Sequence, residues 1–164
     1  RLAGIADKTE QLRTVVLEEE FSPVEQDLVA VVEDAVGDAR REFPDTTFSV
    51  SAPPSLAVLA TPRLRVALRE LLTNAVVHHE DGDTTVDVAV DEQDGEALLR
   101  VEDRGRGLPD TEQELLEQGI EHPLSHSRGV GLWMVRFIVL DSDGQIEVAA
   151  DDRGTSVTIR LPRP

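Results

Sequence analysis

The stretch RELLTNAVVHH, from Arg69 to His79, combines a buried helical face with a row of polar side chains. Its apolar residues recur at the three- and four-residue spacing of one helical stripe. Glu70, Asn74 and His78 stand four residues apart, so a helix stacks a carboxylate, an amide and an imidazole beside that stripe. An amide oxygen suits a Mg²⁺ ion that also holds phosphates, a carboxylate can orient or deprotonate a nucleophile, and an imidazole can donate to a phosphate or ribose oxygen. Taken alone, these residues also fit a helix whose polar groups bond only backbone and solvent.

Two glycine-containing stretches add candidate ligand-binding backbone. DRGRG follows a predicted strand and contains Asp103, Gly105 and Gly107. Glycine lets a ligand approach the backbone closely, and the carboxylate could accept from the exocyclic amine of a base. SRGVGLWMV places Gly129 and Gly131 in a predicted loop just before an apolar helix, where free N–H groups can bind an anion. Neither stretch is a Walker A motif, and each by itself also fits an ordinary turn.

The elements that must position these residues are helices followed by strands and hairpins. A capping box at Ser22 and Glu25 predicts a helix that runs to about Glu42. TTFSVSA and LAVLA are predicted strands, and Thr61 opens the helix that carries Asn74. TTVDVAVDE and EALLRVED predict one hairpin, and QIEVAAD and TSVTIRLP predict another. The order indicates an α/β two-layer sandwich, with a mixed, mostly antiparallel sheet and helices packed on one face.

Composition narrows the class of protein further. A chain of 164 residues suits one compact domain with a real core, and the absence of cysteine excludes disulfides and thiolate chemistry. Asp and Glu number 33 against 16 Lys and Arg, and the net charge of −17 argues against nucleic acid as a partner. Because the acids are spread through a periodic, hydrophobic sequence, they indicate a solvated acidic coat on a folded domain. No signal peptide or span-length apolar run is visible, and a cytoplasmic location is expected.

The motifs gain specificity from their order along the chain. An asparagine helix, D-x-G-x-G after a strand, G-x-G-L opening a helix and the ending GTSVTIRLP resemble the N box and glycine boxes of the GHKL ATP-binding superfamily. Within it, the sequence looks most like the catalytic ATP-binding (HATPase) domain of sensor histidine kinases. The resemblance covers about residues 22–162 and implies a Bergerat fold for residues 22–164. Residues 1–21 resemble the tail of a dimerisation and phosphoacceptor hairpin helix. The apolar seam of that predicted helix contains Leu2, Ile5, Leu12 and Val16.

Carried over position by position, the resemblance implies a site for ATP and Mg²⁺. Asn74 would ligate the metal, and Glu70 would take the catalytic position one turn earlier. Asp103 would accept from the adenine amino group, and residues 108–128 would form a lid. Val77 stands where many histidine kinases carry a lysine or arginine, and Arg128 is the candidate to supply that charge. The implied nucleotide-binding residues are Asn74, His78, Asp103, Gly105, Gly107, Arg128, Gly129, Val130, Gly131, Leu132 and Thr155.

The resemblance also implies a function. It is transfer of the γ-phosphoryl group of ATP to a histidine on an adjacent dimerisation domain, for relay to a response regulator, in a full-length protein that is a homodimer. None of the four histidines of the chain lies in an acidic H-box, so the phosphoacceptor is expected to lie elsewhere in a longer kinase. An anti-sigma-factor-like serine kinase and a non-catalytic nucleotide-binding module are the alternatives.

The acidic coat gives a prediction about stability. We expect the melting temperature to be higher in about 1 M KCl than in dilute buffer, because the Debye length falls to roughly 3 Å and most of the self-repulsion disappears. Such a response is expected of a protein from a salt-loving organism. Equal melting temperatures in the two buffers, followed by circular dichroism, would contradict the hypothesis.

Overall fold

A computed structural model describes residues 22–77, 84–104, 127–151 and 154–164. The predicted tail, residues 1–21, lies outside these ranges, as does the predicted lid apart from its last two residues. None of the helices in the described ranges combines the length and apolar character needed to cross a bilayer. The described elements are β1 (Val24–Asp27), α1 (Leu28–Glu42), β2 (Thr46–Ser51), β3 (Ala57–Ala60), α2 (Leu64–Val77), β4 (Thr84–Gln93), β5 (Glu96–Asp103), α3 (Ser127–Asp141), β6 (Gln145–Asp151) and β7 (Gly154–Pro162).

Five strands form the main sheet in the order β2-β4-β5-β7-β6. β2 runs parallel to β4, and the other neighbouring pairs are antiparallel. Asp94 and Gly95 join β4 to β5 with positive φ values of 54° and 78°, as a two-residue hairpin turn requires. The predicted mixed, mostly antiparallel sheet and both predicted hairpins are therefore confirmed.

Helices α1, α2 and α3 cover one face of this sheet. Along the central strands, residues such as Val88, Leu99 and Ile159 are buried, whereas Arg100 is exposed and Glu102 is only partly buried. This alternation turns one apolar face toward the helices and leaves the other face polar. The hydrophobic core lies between the sheet and the helices, which confirms the predicted two-layer sandwich.

A small second sheet, formed by β1 and β3, replaces the predicted start of the first helix. The capping box at Ser22 predicted helix from that point, but Val24–Asp27 form a strand that pairs antiparallel with β3. The prediction of a helix beginning at Ser22 is therefore wrong. A capping box is a local signal, and pairing with a strand more than 30 residues away outweighs it.

Asp27 is the residue that begins α1. Its Oδ1 accepts from the backbone N–H of Val29 at 3.1 Å, which caps the helix, and from that of Leu56 at 3.0 Å. One carboxylate therefore starts α1 and ties it to the segment that leads into β3.

Arginine–acid contacts join α1 to α2, the helix that carries Asn74. Asp38 on α1 accepts a hydrogen bond from Arg65 on α2, and this bond holds the pKa of Asp38 below its ordinary value. One turn further along both helices, a nitrogen of Arg69 lies 3.3 Å from a carboxylate oxygen of Glu42. Both ion pairs join the same two helices one turn apart, and together they help to set the register of α1 against α2.

We expect Asp27→Ala to lower the free energy of unfolding by about 1–2 kcal/mol, the usual cost of losing an N-cap side chain. Urea unfolding at neutral pH would measure the change. Asp27→Asn is the matched control, because its amide oxygen can still accept from both N–H groups and should retain most of the stability. An alanine variant as stable as the native chain would show that the cap contributes nothing.

Candidate functional site

Two polar residues face each other at one end of the central strands. Asp103, the last residue of β5, pairs with Thr155, the second residue of β7. Both fall in the alternating set that faces the helices, since Val101 and Val157, two residues along each strand, are buried in the core. Asp103 is partly buried and Thr155 is only 5% exposed. The carboxylate of Asp103 and the hydroxyl of Thr155 therefore lie at one end of the apolar interface between the sheet and the helices.

Gly154 brings β7 into close contact with the end of β5. Its φ is +145°, and a Cβ added to it would overlap the carbonyl oxygen of Asp103 and lie 2.9 Å from the Cα of Arg104. Only glycine fits there. Gly154 lies within the last motif, GTSVTIRLP, but was not among the predicted site residues; its position directly before Thr155 was the available signal.

The hydroxyl of Thr155 is buried and has no hydrogen-bond partner among the described residues. A buried polar group without a partner costs about 1–3 kcal/mol. Native proteins therefore pair such groups with protein, ligand or ordered water. Among the described residues, the Oγ1 of Thr155 beside Asp103 is therefore a polar atom that a ligand or an ordered water could bond.

Asn74 is the buried polar residue of α2, with 6% of its surface exposed. Its amide nitrogen donates to the backbone oxygen of Glu70 at 2.8 Å. Because that acceptor is a carbonyl, the side-chain nitrogen must point to it, and the amide oxygen is the atom left to face a ligand. Glu70 lies one turn earlier with a partly buried side chain, so the predicted alignment of carboxylate and amide is present.

The packing of α2 on α3 brings the asparagine to the start of α3. Thr61, just before α2, donates its backbone N–H to the hydroxyl of Ser142, just after α3, at 3.0 Å. The two helices also pack against each other. They therefore run antiparallel, and the end of α2 that carries Asn74 lies beside the N-terminus of α3.

The strand pair after α3 returns to the same end of the domain. β6 begins just past the C-terminus of α3, and β7 runs back antiparallel to it, with Arg160 opposite Gln145. A 15-residue helix is about 22 Å long and a seven-residue strand about 23 Å, so β6 spans the length of α3. Thr155 and Asp103 consequently lie at the end where α3 begins, as Asn74 does.

α3 begins earlier than the sequence predicted. It starts at Ser127, so Gly129 and Gly131 lie inside the helix, and their assignment to a preceding loop is wrong. Glycine disfavours helix by about 1 kcal/mol per residue, which the packing of α3 on the core outweighs. The first three helical N–H groups lack an intrahelical acceptor. This set includes Gly129 but not Gly131, and the side chain of Leu132 is fully buried in the core.

Several predicted site residues are not described. His78, Gly105 and Gly107 lie outside the described ranges, as do the side chains of Arg128 and Val130, whose backbone belongs to α3. Val77, at the end of α2, is 47% exposed. Arg104 follows Asp103 directly, and its guanidinium lies 3.8 Å from the carboxylate of Asp87.

Residues 60–164 match the family described as histidine kinase-, DNA gyrase B-, and HSP90-like ATPase. The chain belongs to this family. The matched range contains Asn74, Asp103 and Thr155, the three polar residues that the fold brings to one end. The predicted superfamily is thereby confirmed.

The curated relatives are sensor histidine kinases. The chain is 33% identical over 151 residues to the probable sensor histidine kinase TcrY of Mycobacterium tuberculosis, which covers 87% of this chain and 31% of TcrY. It is 25% identical over 169 residues to the sensor-type histidine kinase PrrB of the same species, covering 100% of this chain and 37% of PrrB. The chain thus spans about a third of the length of these relatives.

Solved structures give the same picture. The mycobacterial sensor histidine kinase MprB superposes with a TM-score of 0.72 at 29% identity, covering 87% of this chain and 99% of that one. The Acinetobacter baumannii histidine kinase AdeS superposes with a TM-score of 0.73 at 21% identity, covering 99% of this chain and 78% of that one, which shows the shared fold. The chain is an ATP-binding domain of the histidine-kinase type.

We expect Thr155→Val to have opposite effects on stability and on nucleotide affinity. Without nucleotide, the variant should be as stable as the native chain or more stable by up to about 1–3 kcal/mol, because it removes a buried hydroxyl that lacks a partner. Its affinity for ATP should fall if the hydroxyl bonds the nucleotide, as the resemblance implies. Urea unfolding and calorimetric titration would measure the two effects.

Thr158→Val is the matched control, since Thr158 lies on the same strand but on the polar face of the sheet. It should leave the affinity for ATP unchanged. A Thr155→Val variant that is less stable and binds ATP normally would show that the hydroxyl serves the fold.

Proposed function

We propose that this chain is the catalytic ATP-binding domain of a sensor histidine kinase. It transfers the γ-phosphoryl group of ATP to a histidine on a dimerisation domain, for relay to an aspartate of a response regulator. The observation that carries the proposal is the buried, unpartnered hydroxyl of Thr155 beside Asp103, at the end of the domain that also holds Asn74. Because the chain belongs to an ATPase family, we take ATP as the ligand of this polar end.

The strand ends are suited to hold the adenine. The carboxylate of Asp103 accepts from the exocyclic amino group, and the hydroxyl of Thr155 bonds a neighbouring ring nitrogen or a bridging water. Gly154 holds β7 against the backbone of Asp103, so both groups keep a fixed spacing. Gly105 and Gly107, which follow Asp103, shape the rest of the base pocket.

The helix ends are suited to hold the phosphates. The amide oxygen of Asn74 is available to Mg²⁺, and the N-terminus of α3 offers free N–H groups that include that of Gly129. Bound Mg²⁺ neutralises charge on the phosphates. Glu70, one turn before the metal ligand, orients the acceptor. The other proposed nucleotide contacts are His78, Arg128, Val130, Gly131 and Leu132.

The partners follow from the same assignment. The acceptor histidine lies on a helical hairpin whose last part is residues 1–21, and the hairpin makes the full-length kinase a homodimer in the cytoplasm, where ATP is available. Coverage of about a third of the relatives is what one domain of such a kinase would give. The net charge of −17 supports a halophilic source and a partner other than nucleic acid.

Calorimetric titration of ATP in about 1 M KCl, with and without Mg²⁺, tests the nucleotide site. Asp103→Ala should weaken binding about 10- to 100-fold with or without the metal, because it removes a hydrogen bond to a charged group worth about 1.5–3 kcal/mol. Asn74→Ala should weaken binding only when Mg²⁺ is present. Asp45→Ala, at an exposed acid in the turn before β2, should change neither value.

Absence of binding by a folded native chain would overturn the assignment. An Asn74→Ala defect of the same size without Mg²⁺ would instead show that the amide has a structural role and does not ligate the metal.

Phosphotransfer identifies the acceptor. With radiolabelled ATP, the chain should label a supplied hairpin that carries an H-box histidine, and the label should be acid-labile. Labelling of a serine in an antagonist protein would favour a serine kinase. Tight ATP binding with transfer to neither would favour a non-catalytic module, in keeping with the exposed Val77 where the resemblance expects a cation.

A further inference from the structure

Strand β2 lies at one end of the main sheet, and within the described ranges it pairs on one side only, with β4. The backbone N–H of Thr46 donates to the carbonyl of Phe43 at 3.1 Å, and the carbonyl of Phe48 accepts from a side chain outside the sheet. Backbone groups of alternate residues point to opposite sides of a strand, so those of Thr46, Phe48 and Val50 point away from β4. This side of β2 is called the β2 edge below.

β2 has the composition of a strand that pairs readily. Its sequence, TTFSVS, is rich in β-branched and aromatic residues and contains no charged residue, proline or glycine. It begins the longest stretch of the chain without a charged residue, residues 46–62, although 30% of the chain is charged. Short segments of this kind pair with strands of other chains when their edges are accessible. The β2 edge is therefore suited to strand addition.

The opposite end of the sheet, β6, carries a charge of its own. Glu147 lies within β6, its side chain is 63% exposed, and a carboxylate oxygen lies 3.8 Å from the guanidinium of Arg160 on β7. A charged side chain on an edge strand opposes pairing with a second copy, because like charges would then lie close together. β2 contains no such residue, so a charge that protects its edge has to come from another element.

Arg40, in the last turn of α1, brings a charge to the β2 edge. Its Nη2 donates to the carbonyl oxygen of Phe48 at 2.8 Å, and Phe48 is the central residue of the three whose backbone groups point outward. Arg40 is exposed, and with Val36, Val50 and Pro53 it lines a pocket between α1 and β2. A strand that added to the β2 edge would have to displace the guanidinium from a carbonyl that the new ladder needs.

We propose that the β2 edge is a surface for self-association with a second copy of this chain, and that the contact from Arg40 blocks it. When the contact is lost, the β2 strands of two copies pair antiparallel about a two-fold axis and join two five-stranded sheets into one. The uncharged stretch at residues 46–62 favours this partner, because two such edges can meet although each chain has a net charge of −17. The self-association requires neither ATP binding nor phosphotransfer.

Sedimentation equilibrium of the Arg40→Met variant in about 1 M KCl, where most charge repulsion between copies is screened, tests the contact. Methionine keeps a long side chain at the pocket but cannot donate to Phe48. We expect the dissociation constant for self-association to fall about 10- to 100-fold, because a hydrogen bond from a charged group no longer competes for the edge.

Arg41→Met is the matched control for this measurement. It removes the same charge from the neighbouring position of the same helix, but the guanidinium of Arg41 contacts Asp38 instead of β2. We expect it to self-associate no more than the native chain does. Circular dichroism would confirm that both variants are folded.

Adding Val50→Pro to Arg40→Met tests whether the association runs through β2. The N–H of Val50 points outward, so proline removes a donor from the β2 edge and leaves the ladder with β4 intact. The double variant should return to the self-association of the native chain.

Hydrogen exchange of the native chain tests the accessibility of the β2 edge without any substitution. The amides of Phe48 and Val50 should exchange faster than that of Ser49, which points toward β4.

Three outcomes would overturn the proposal. They are equal self-association of Arg40→Met and Arg41→Met, self-association of the double variant as strong as that of Arg40→Met, and exchange at Phe48 and Val50 as slow as at Ser49. Calorimetric titration of ATP on the same samples separates this result from the proposed function, because a failure to bind ATP would contradict only the nucleotide site.

Discussion

The contact between Gly154 and the backbone of Asp103 is the constraint on which the rest of the site depends. No side chain fits between the end of β5 and the beginning of β7, so the two strands meet there at backbone distance. The contact sets Asp103 opposite Thr155 at the edge of the core. It also places both groups at the end of the domain where α2 ends and α3 begins. The carboxylate, the hydroxyl and the buried amide of Asn74 thus converge through strand register and helix packing, although they are far apart in sequence.

The buried polar groups at this end of the domain lower the free energy of unfolding. Asn74 is buried on α2, and its amide nitrogen donates to the backbone oxygen of Glu70. The hydroxyl of Thr155 has no partner among the described residues. Apolar residues at both positions would serve the core better. The amide oxygen of Asn74 and the hydroxyl of Thr155 are best explained by a ligand that bonds both. For this reason, stability and nucleotide affinity are expected to change in opposite directions when Thr155 is replaced by valine.

Period-two and period-3.6 patterns were enough to predict the sandwich, both hairpins and the helix that carries Asn74, because those signals are repeated over many residues. The start of α1 was predicted wrongly because one capping box at Ser22 competed with pairing between β1 and β3, which no local pattern reports. The start of α3 was misplaced because two glycines suggested a loop, whereas core packing extends the helix to Ser127. The orphaned hydroxyl of Thr155 and the overlap at Gly154 depend on distances between strands some 50 residues apart, and only the folded chain shows them.

Helices α2 and α3 together support the proposed phosphate site. The first residues of α3 lie at that site, and its last residues lie beside the start of α2. Ser142 ties that far end to Thr61 and also donates to the backbone oxygen of Ile138 at 2.9 Å, so the end of α3 and the start of α2 are bonded together. Asn74 and Gly129 lie toward the other ends of the same two helices. A change in the packing of α2 on α3 would therefore alter the spacing between the amide of Asn74 and the N–H groups at the start of α3.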